Sequence, residues 1–356
     1  MNKHIFYIAA ACVALASCVK NEVRVNAPDK EITFQTVSTK AGATFDTNHK
    51  FYSYAFFLEK GKTWDANHAE AKAYIDNALI SYEPGTAAGK GFWAADDGST
   101  YYWPKQGSLT FFAWTDDTAA PSVGTGATVS CAHDTGIKIK DYSVKDNLNK
   151  DILVAEIAKD KKSNESATSS WENGVPTVFR HALAKVEFKV NKKTNYPNVK
   201  FRVKSITLKQ VSTRGTFTQY QSNPNPENWG WNGWGVQENL PVFTGDVAVT
   251  KTADPAPAEF DPLNPSTGDY YIVLPQILND KSSDTNLTIV YDIITSYTGT
   301  PVTETVTESK DLKDIYKNNW DCKKKYVLGI TLGLNEIYWD PSVEAWEDGT
   351  VTDIPF

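Results

Sequence analysis

"HALAKVEFKV", residues 181–190, decides the class of fold. Ala182, Ala184, Val186, Phe188 and Val190 share one parity, and Lys185, Glu187 and Lys189 share the other. A repeat of two is that of a strand, whose successive side chains point to opposite faces. Strict apolar–polar alternation marks a sheet with one face on a core and one in water.

Outward from this stretch the same period recurs. Tyr52, Tyr54, Phe56 and Leu58 fall on one face of a second strand. Leu109, Phe111 and Ala113 oppose Phe112 and Trp114 in a third, and Ile137 and Ile139 alternate with lysines. "DILVAE", 151–156, reads as a short buried strand, and "YYIVLP", 270–275, as a central strand ended by Pro275. Leu287, Ile289, Tyr291 and Ile293 form a further stripe, and Tyr326, Leu328, Ile330, Leu332 and Leu334 the longest regular one. In "FRVKSITLKQ", Phe201 and Val203 share a parity opposite to that of Ile206 and Leu208. A bulge near Lys204-Ser205 returns all four to one face. "DANHAEAKAYIDNALI", 65–80, stands apart: Asp65 as a cap and several alanines predict a helix there, against an irregular loop running into a strand at Ala78–Tyr82.

The expected fold is therefore all-β, two β-sandwich domains with few or short helices. "KDKKSNESATSSWENG", 159–174, has no apolar pattern and serves as an exposed loop or as the join. The domains are placed at 31–170 and 171–356.

The chain has 356 residues and a formal net charge of −7. An acidic balance argues against nucleic acid and against a polybasic membrane patch. The N-terminus opens with Met1-Asn2-Lys3-His4 and runs into unbroken apolar sequence from Ile5 to Ala16. That run is shorter than the ~20 residues of a spanning helix and has the form of a signal peptide. Leu15-Ala16-Ser17-Cys18 resembles the bacterial lipobox, in which cleavage precedes a cysteine that carries acyl chains. Residues 1–17 are then the signal peptide, Cys18 the lipidation site, and 18–30 a polar tether from the outer membrane. At ~0.8 kcal/mol per buried methylene, two or more chains anchor stably. Of the remaining cysteines, Cys131 and Cys322 are permitted to pair in an exported protein, but nothing in the sequence requires it.

Catalytic patterns are sparse. No two histidines have the spacing of a metal pair, and no C-x-x-C, H-E-x-x-H or G-x-S-x-G motif occurs. The sequence therefore implies no metal, no cofactor and no enzyme activity. Asp96-Asp97 and Asp116-Asp117 sit beside turn residues, where aspartates cap turns. His181, at a strand start, reads as structural. One cluster asks for more: "PNPENWGWNGWG", 224–235, sets Trp229, Trp231 and Trp234 among glycines and asparagines. Such rings either stack on sugars as a ligand-contact surface or fold back to cap a sandwich end.

Several motifs together resemble those of a known family. "STYYWPKQGSLTFFAW" (99–114), "DILVAE", "FRHALAKVEFKV" (179–190), "GDYYIVLPQ" (268–276) and "KKYVLGITLGLNEIYWDPSVEAWEDG" (324–349) stand in the order and spacing of the Bacteroidales-type fimbrillin lipoproteins, the Mfa-like and FimA-like pilins. The resemblance implies two transthyretin-like β-sandwich domains and a cell-surface pilus subunit whose partners are other pilin subunits. It also implies a trypsin-like processing protease that removes the first strand, so that a strand from a neighbour fills the groove. In this sequence the removable strand is "EITFQTV", 31–37, with Ile32 and Phe34 on one face, and Lys40 in "STKAG" is the cleavage candidate. The family's familiar site is an arginine. Donor side chains are expected from the C-terminus: Val343, Val351, Ile354 and Phe356. A host glycan or protein is a further candidate partner, and the sequence does not specify the adhesion target. The competing reading is a monomeric carbohydrate-binding surface lipoprotein.

Overall fold

A computed structural model describes residues 31–37, 45–84, 91–147, 150–162, 174–220, 229–254, 256–263, 271–278, 284–317 and 319–345. It is nearly all strand, as the alternation requires, and its strands form three sheets.

The first sheet contains β1 (Phe34–Val37), β2 (Phe51–Leu58), β3 (Lys72–Glu83), β4 (Phe92–Ala95), β5 (Ser108–Thr115), β8 (Leu153–Ala155), β9 (Ala158–Lys161) and β10 (Val175–His181). Its order is β2-β3-β4-β1-β10-β8-β5-β9, and β2 also pairs with β5. That pairing joins the two facing layers at the edge, so the ladder closes on itself. The enclosed core holds Ile32, Phe34, Phe45, Phe51, Ile75, Trp93, Phe111 and Phe179.

The second sheet runs β14 (Asp261–Pro262), β11 (Ala184–Lys192), β18 (Lys324–Leu332), β19 (Ile337–Ala345), with β15 (Tyr271–Val273) also on β11. The third runs β17 (Val302–Asp311), β16 (Asn286–Thr295), β12 (Val199–Thr218), β7 (Gly136–Ser143), β6 (Thr128–Ala132), with β13 (Gly230–Ala248) on β12. These two sheets face each other across one apolar core. Val186, Phe188 and Val190 of β11 and Leu328 and Ile330 of β18 meet Phe201, Val203, Ile206 and Leu208 of β12. The bulge expected at Lys204-Ser205 is there: the register of β12 against both β13 and β16 shifts between Val203 and Ser205. All four apolar side chains are accordingly at most 1 % exposed.

The opening stretch spans a change of sheet. His181 ends β10 in the first sheet, and Ala184 starts β11 in the second, with only Ala182 and Leu183 between. Conversely, β7 pairs with β12 in the third sheet although it precedes β8 in the chain. The opposed faces of β5 serve the two cores: Leu109, Phe111 and Ala113 the first, Phe112 and Trp114 the second.

Two expectations are corrected. The 65–80 segment is a single turn, α1 (Trp64–Asn67), then a 3-10 turn (His68–Glu70), then β3 from Lys72. Alanine propensity is worth a few tenths of a kcal/mol per residue. Pairing of β3 with both β2 and β4 outweighs it. The only other α-helical turn among the described residues is α2 (Leu312–Ile315). Tyr271–Val273 is buried as expected but pairs with β11 alone among the described residues, where it lies at an edge rather than at the centre.

Candidate assembly site

The removable-strand candidates lie in the first core. Ile32 is 5 % and Phe34 2 % exposed. The Phe34 ring meets Phe51 and Phe111 edge-on at 5.6 and 5.8 Å. β1 itself lies between two neighbours. It pairs in parallel with β10 at four positions, from Phe34 opposite Val175 to Val37 opposite Val178, and antiparallel with β4 at Phe34–Trp93. Ahead of it, Ile32 N donates to Tyr101 O at 2.8 Å, and Val175 N donates to Thr33 O at 2.7 Å. The fit against β10 depends on Gly174. Its φ is +104°, and a Cβ there would lie 2.6 Å from the Phe34 carbonyl carbon. No L side chain suits that conformation or that approach.

Lys40, the cleavage candidate, and Cys18, the lipidation candidate, lie outside the described residues, as do Val351, Ile354 and Phe356. Val343 is described. It stands opposite Tyr326 in β19, is 52 % exposed, and belongs to a strand held antiparallel against β18 from Ile337 to Ala345. The chain's own sheet therefore already uses this part of the C-terminus.

The tryptophans divide. Trp229 and Trp231 are each 5 % exposed and pack edge-on and tilted against Phe217, at 5.7 and 5.5 Å. Trp231 Nε1 donates to Ala182 O at 2.5 Å. Both rings also border a cleft of about 480 Å³. The side chain of Trp234 lies outside the described residues. Trp231→Ala is expected to cost about 3–5 kcal/mol of stability through the lost ring and hydrogen bond, read as a lowered urea midpoint.

The remaining candidates are structural in their contacts. Asp116 accepts from Thr118 Oγ1 and Ser122 N, and Asp97 from Ser99 N, both within turns. His181 is fully buried against Asp151. Cys131 and Cys322 are both free thiols; burial pushes the Cys322 thiol up to about 12.

The two-core, three-sheet fold has counterparts among known structures. The fimbrillin-like family profile matches residues 36–346, and the chain belongs to that family. A fimbrial protein from Bacteroides vulgatus is similar in fold, with a TM-score of 0.67 at 18 % identity over 89 % of this chain and 99 % of that one. Two putative cell adhesion proteins, from Bacteroides uniformis and Bacteroides ovatus, give TM-scores of 0.47 and 0.44. Each is 15 % identical over 89 % of this chain and 98 % of its own. No curated protein sequence matches the chain. Membership of a fimbrial family points to a structural subunit at the cell surface that assembles with other subunits.

Proposed function

We propose that this protein is a structural and adhesive pilus subunit that polymerises by protease-triggered strand exchange. The observation that carries the reading is β1: short, inserted between β10 and β4, and filling the first core with Ile32 and Phe34. Cleavage after Lys40 by a trypsin-like protease releases that strand. The loss bares backbone groups on β10 and β4 and opens an apolar trough. An unpaired edge of this kind recruits another strand, with main-chain bonds giving affinity and side-chain pockets giving specificity.

The donor is the C-terminus of a neighbouring subunit. Because Val343 is engaged with β18, the exchanging segment is the part beyond Ala345, with Val351, Ile354 and Phe356 as the apolar side chains offered to the groove. Before cleavage the precursor is held at the outer membrane by lipid on Cys18.

The test is the N-terminal residue of protein recovered from surface fibres. Ala41 is expected, with intact precursor only in the membrane fraction. Fibres built of chains that still begin at Cys18 would overturn the mechanism. Separately, Cys18→Ala is expected to leave a precursor that no longer fractionates with the outer membrane. Unchanged fractionation would remove the lipid anchor from the scheme.

A further inference from the structure

Three segments of the first sheet meet in a concavity of about 260 Å³: the loop leaving β2 (59–62), the segment entering β5 (104–107), and Lys162 just after β9. Strand pairing brings them together, with Leu58 opposite Ser108 and Leu109 opposite Lys161. Gly107 lets the first two close up. Its φ is +87°, and a Cβ there would lie 2.2 Å from the Leu58 carbonyl oxygen.

Charge sets this place apart from the rest of an acidic chain. The formal net charge is −7, yet the lining holds Lys60, Lys62, Lys105 and Lys162 against Glu59 alone, four positive charges less one negative, or +3. That carboxylate is already answered, by Lys62 at 3.6 Å and Lys72 at 3.5 Å. Lys62 also reaches Glu70, at 2.5 Å. Lys60, Lys105 and Lys162 have no carboxylate within 4.0 Å among the described residues. Ammonium groups drawn from three segments without a counter-charge raise the local potential and attract an anion that meets several of them at once.

The rest of the lining narrows that anion. Lysines supply point charges on flexible stems rather than the fixed fork of arginine, so charge density counts for more than the shape of one carboxylate. No aromatic ring lines the concavity, so the stacking platform typical of single-stranded nucleic acid sites is missing. Pro104 is the one apolar side chain in the lining, which leaves nothing to hold an acyl chain. Gln106 adds an amide that both donates and accepts, as sugar hydroxyls require.

We propose that this concavity binds a segment of a sulfated polysaccharide, with the ammonium groups of Lys60, Lys105 and Lys162 on its sulfates. The proposal rests on the adhesive part of the function above and names the chemistry of its target.

It is tested on the uncleaved monomer, so failure to bind and failure to polymerise are read separately. The probes are a heparin hexasaccharide, a hyaluronan hexasaccharide that carries carboxylates alone, and a single-stranded oligonucleotide, titrated calorimetrically. The heparin probe is expected to bind, and to weaken as added salt screens the lysines. Lys60→Gln, Lys105→Gln and Lys162→Gln are each expected to weaken it two- to threefold, and the three together tenfold or more. The thermal midpoint should hold, since all three side chains are exposed. Lys140→Gln, Lys200→Gln and Lys317→Gln combined remove the same charge from outside the concavity and are expected to leave affinity within twofold. Three results would overturn the proposal: the heparin probe does not bind; the two triple variants lose affinity alike, so that net charge alone matters; or hyaluronan or the oligonucleotide binds as tightly as heparin.

Discussion

A chain that begins at Ala41 is expected to lose its monomeric state. Deleting Glu31 to Lys40 withdraws Ile32 and Phe34 from a core in which they are 5 % and 2 % exposed. Each such side chain contributes roughly 1.5–3 kcal/mol by burial. The backbone bonds of β1 to its neighbours add about 1 kcal/mol net apiece. The sum, at least about 5 kcal/mol, approaches the whole stability of an ordinary domain. The truncated chain should therefore either polymerise through its own tail or denature at much lower urea. Adding a synthetic Glu31–Val37 peptide in excess should restore a monomer with a near-original midpoint, because the peptide binds only the folded groove. Light scattering behind size exclusion, with and without peptide, is the measurement. A truncated chain that stays monomeric with an unshifted midpoint would show that β1 is dispensable and the groove irrelevant.

The C-terminus gives the second large effect, in the segment that follows β19. Deleting 346–356 is expected to leave the β18–β19 pairing of the monomer in place and to abolish polymerisation of the cleaved chain. Deleting from Ile337 is expected to destabilise the monomer itself, since β19 is paired with β18 along its whole length. Lys40→Ala supplies the control: folded, monomeric, with an intact tail. Mixing the 346-deleted, cleaved chain with full-length cleaved chain should cap fibres at one end and shorten them. Normal fibre length from the 346-deleted chain alone would place the donor elsewhere.

Local alternation made the second and third sheets legible. The parity break between Val203 and Ile206 was readable as a bulge because one face had to be buried whole, and a one-residue slip would have turned Ile206 and Leu208 to water. The two faces of 109–114 were readable too, although only the structure shows that they serve different cores. What sequence could not supply was set by distant partners. Residues 65–80 look helical because their alanines and Asp65 are local signals, whereas β2 and β4, which make β3 a strand, are remote in the chain. The tryptophans of 229–234 carry no local mark of burial. Trp231 is fixed by the carbonyl of Ala182, 49 residues away. The cleft was illegible for the same reason: Trp229, Ile277 and Trp320 come from three separated segments. The change of sheet between His181 and Ala184 has no glycine or proline to announce it, so 179–190 reads as one strand.

β12 has a bearing on how the subunit behaves when a fibre is pulled. Along one edge it pairs with β16 from Val199 to Lys209 and with β7 from Arg214 to Thr218, and β13 runs along its other edge from Arg202 to Thr218. A single strand thus spans the junction between the chain's earlier and later halves. Tension directed along it would strain these ladders in shear, so that many bonds must give way together. Tension applied across an edge would instead unzip them singly. In a polymer exposed to flow, the direction in which β12 lies relative to the fibre axis would then set whether a subunit holds or opens.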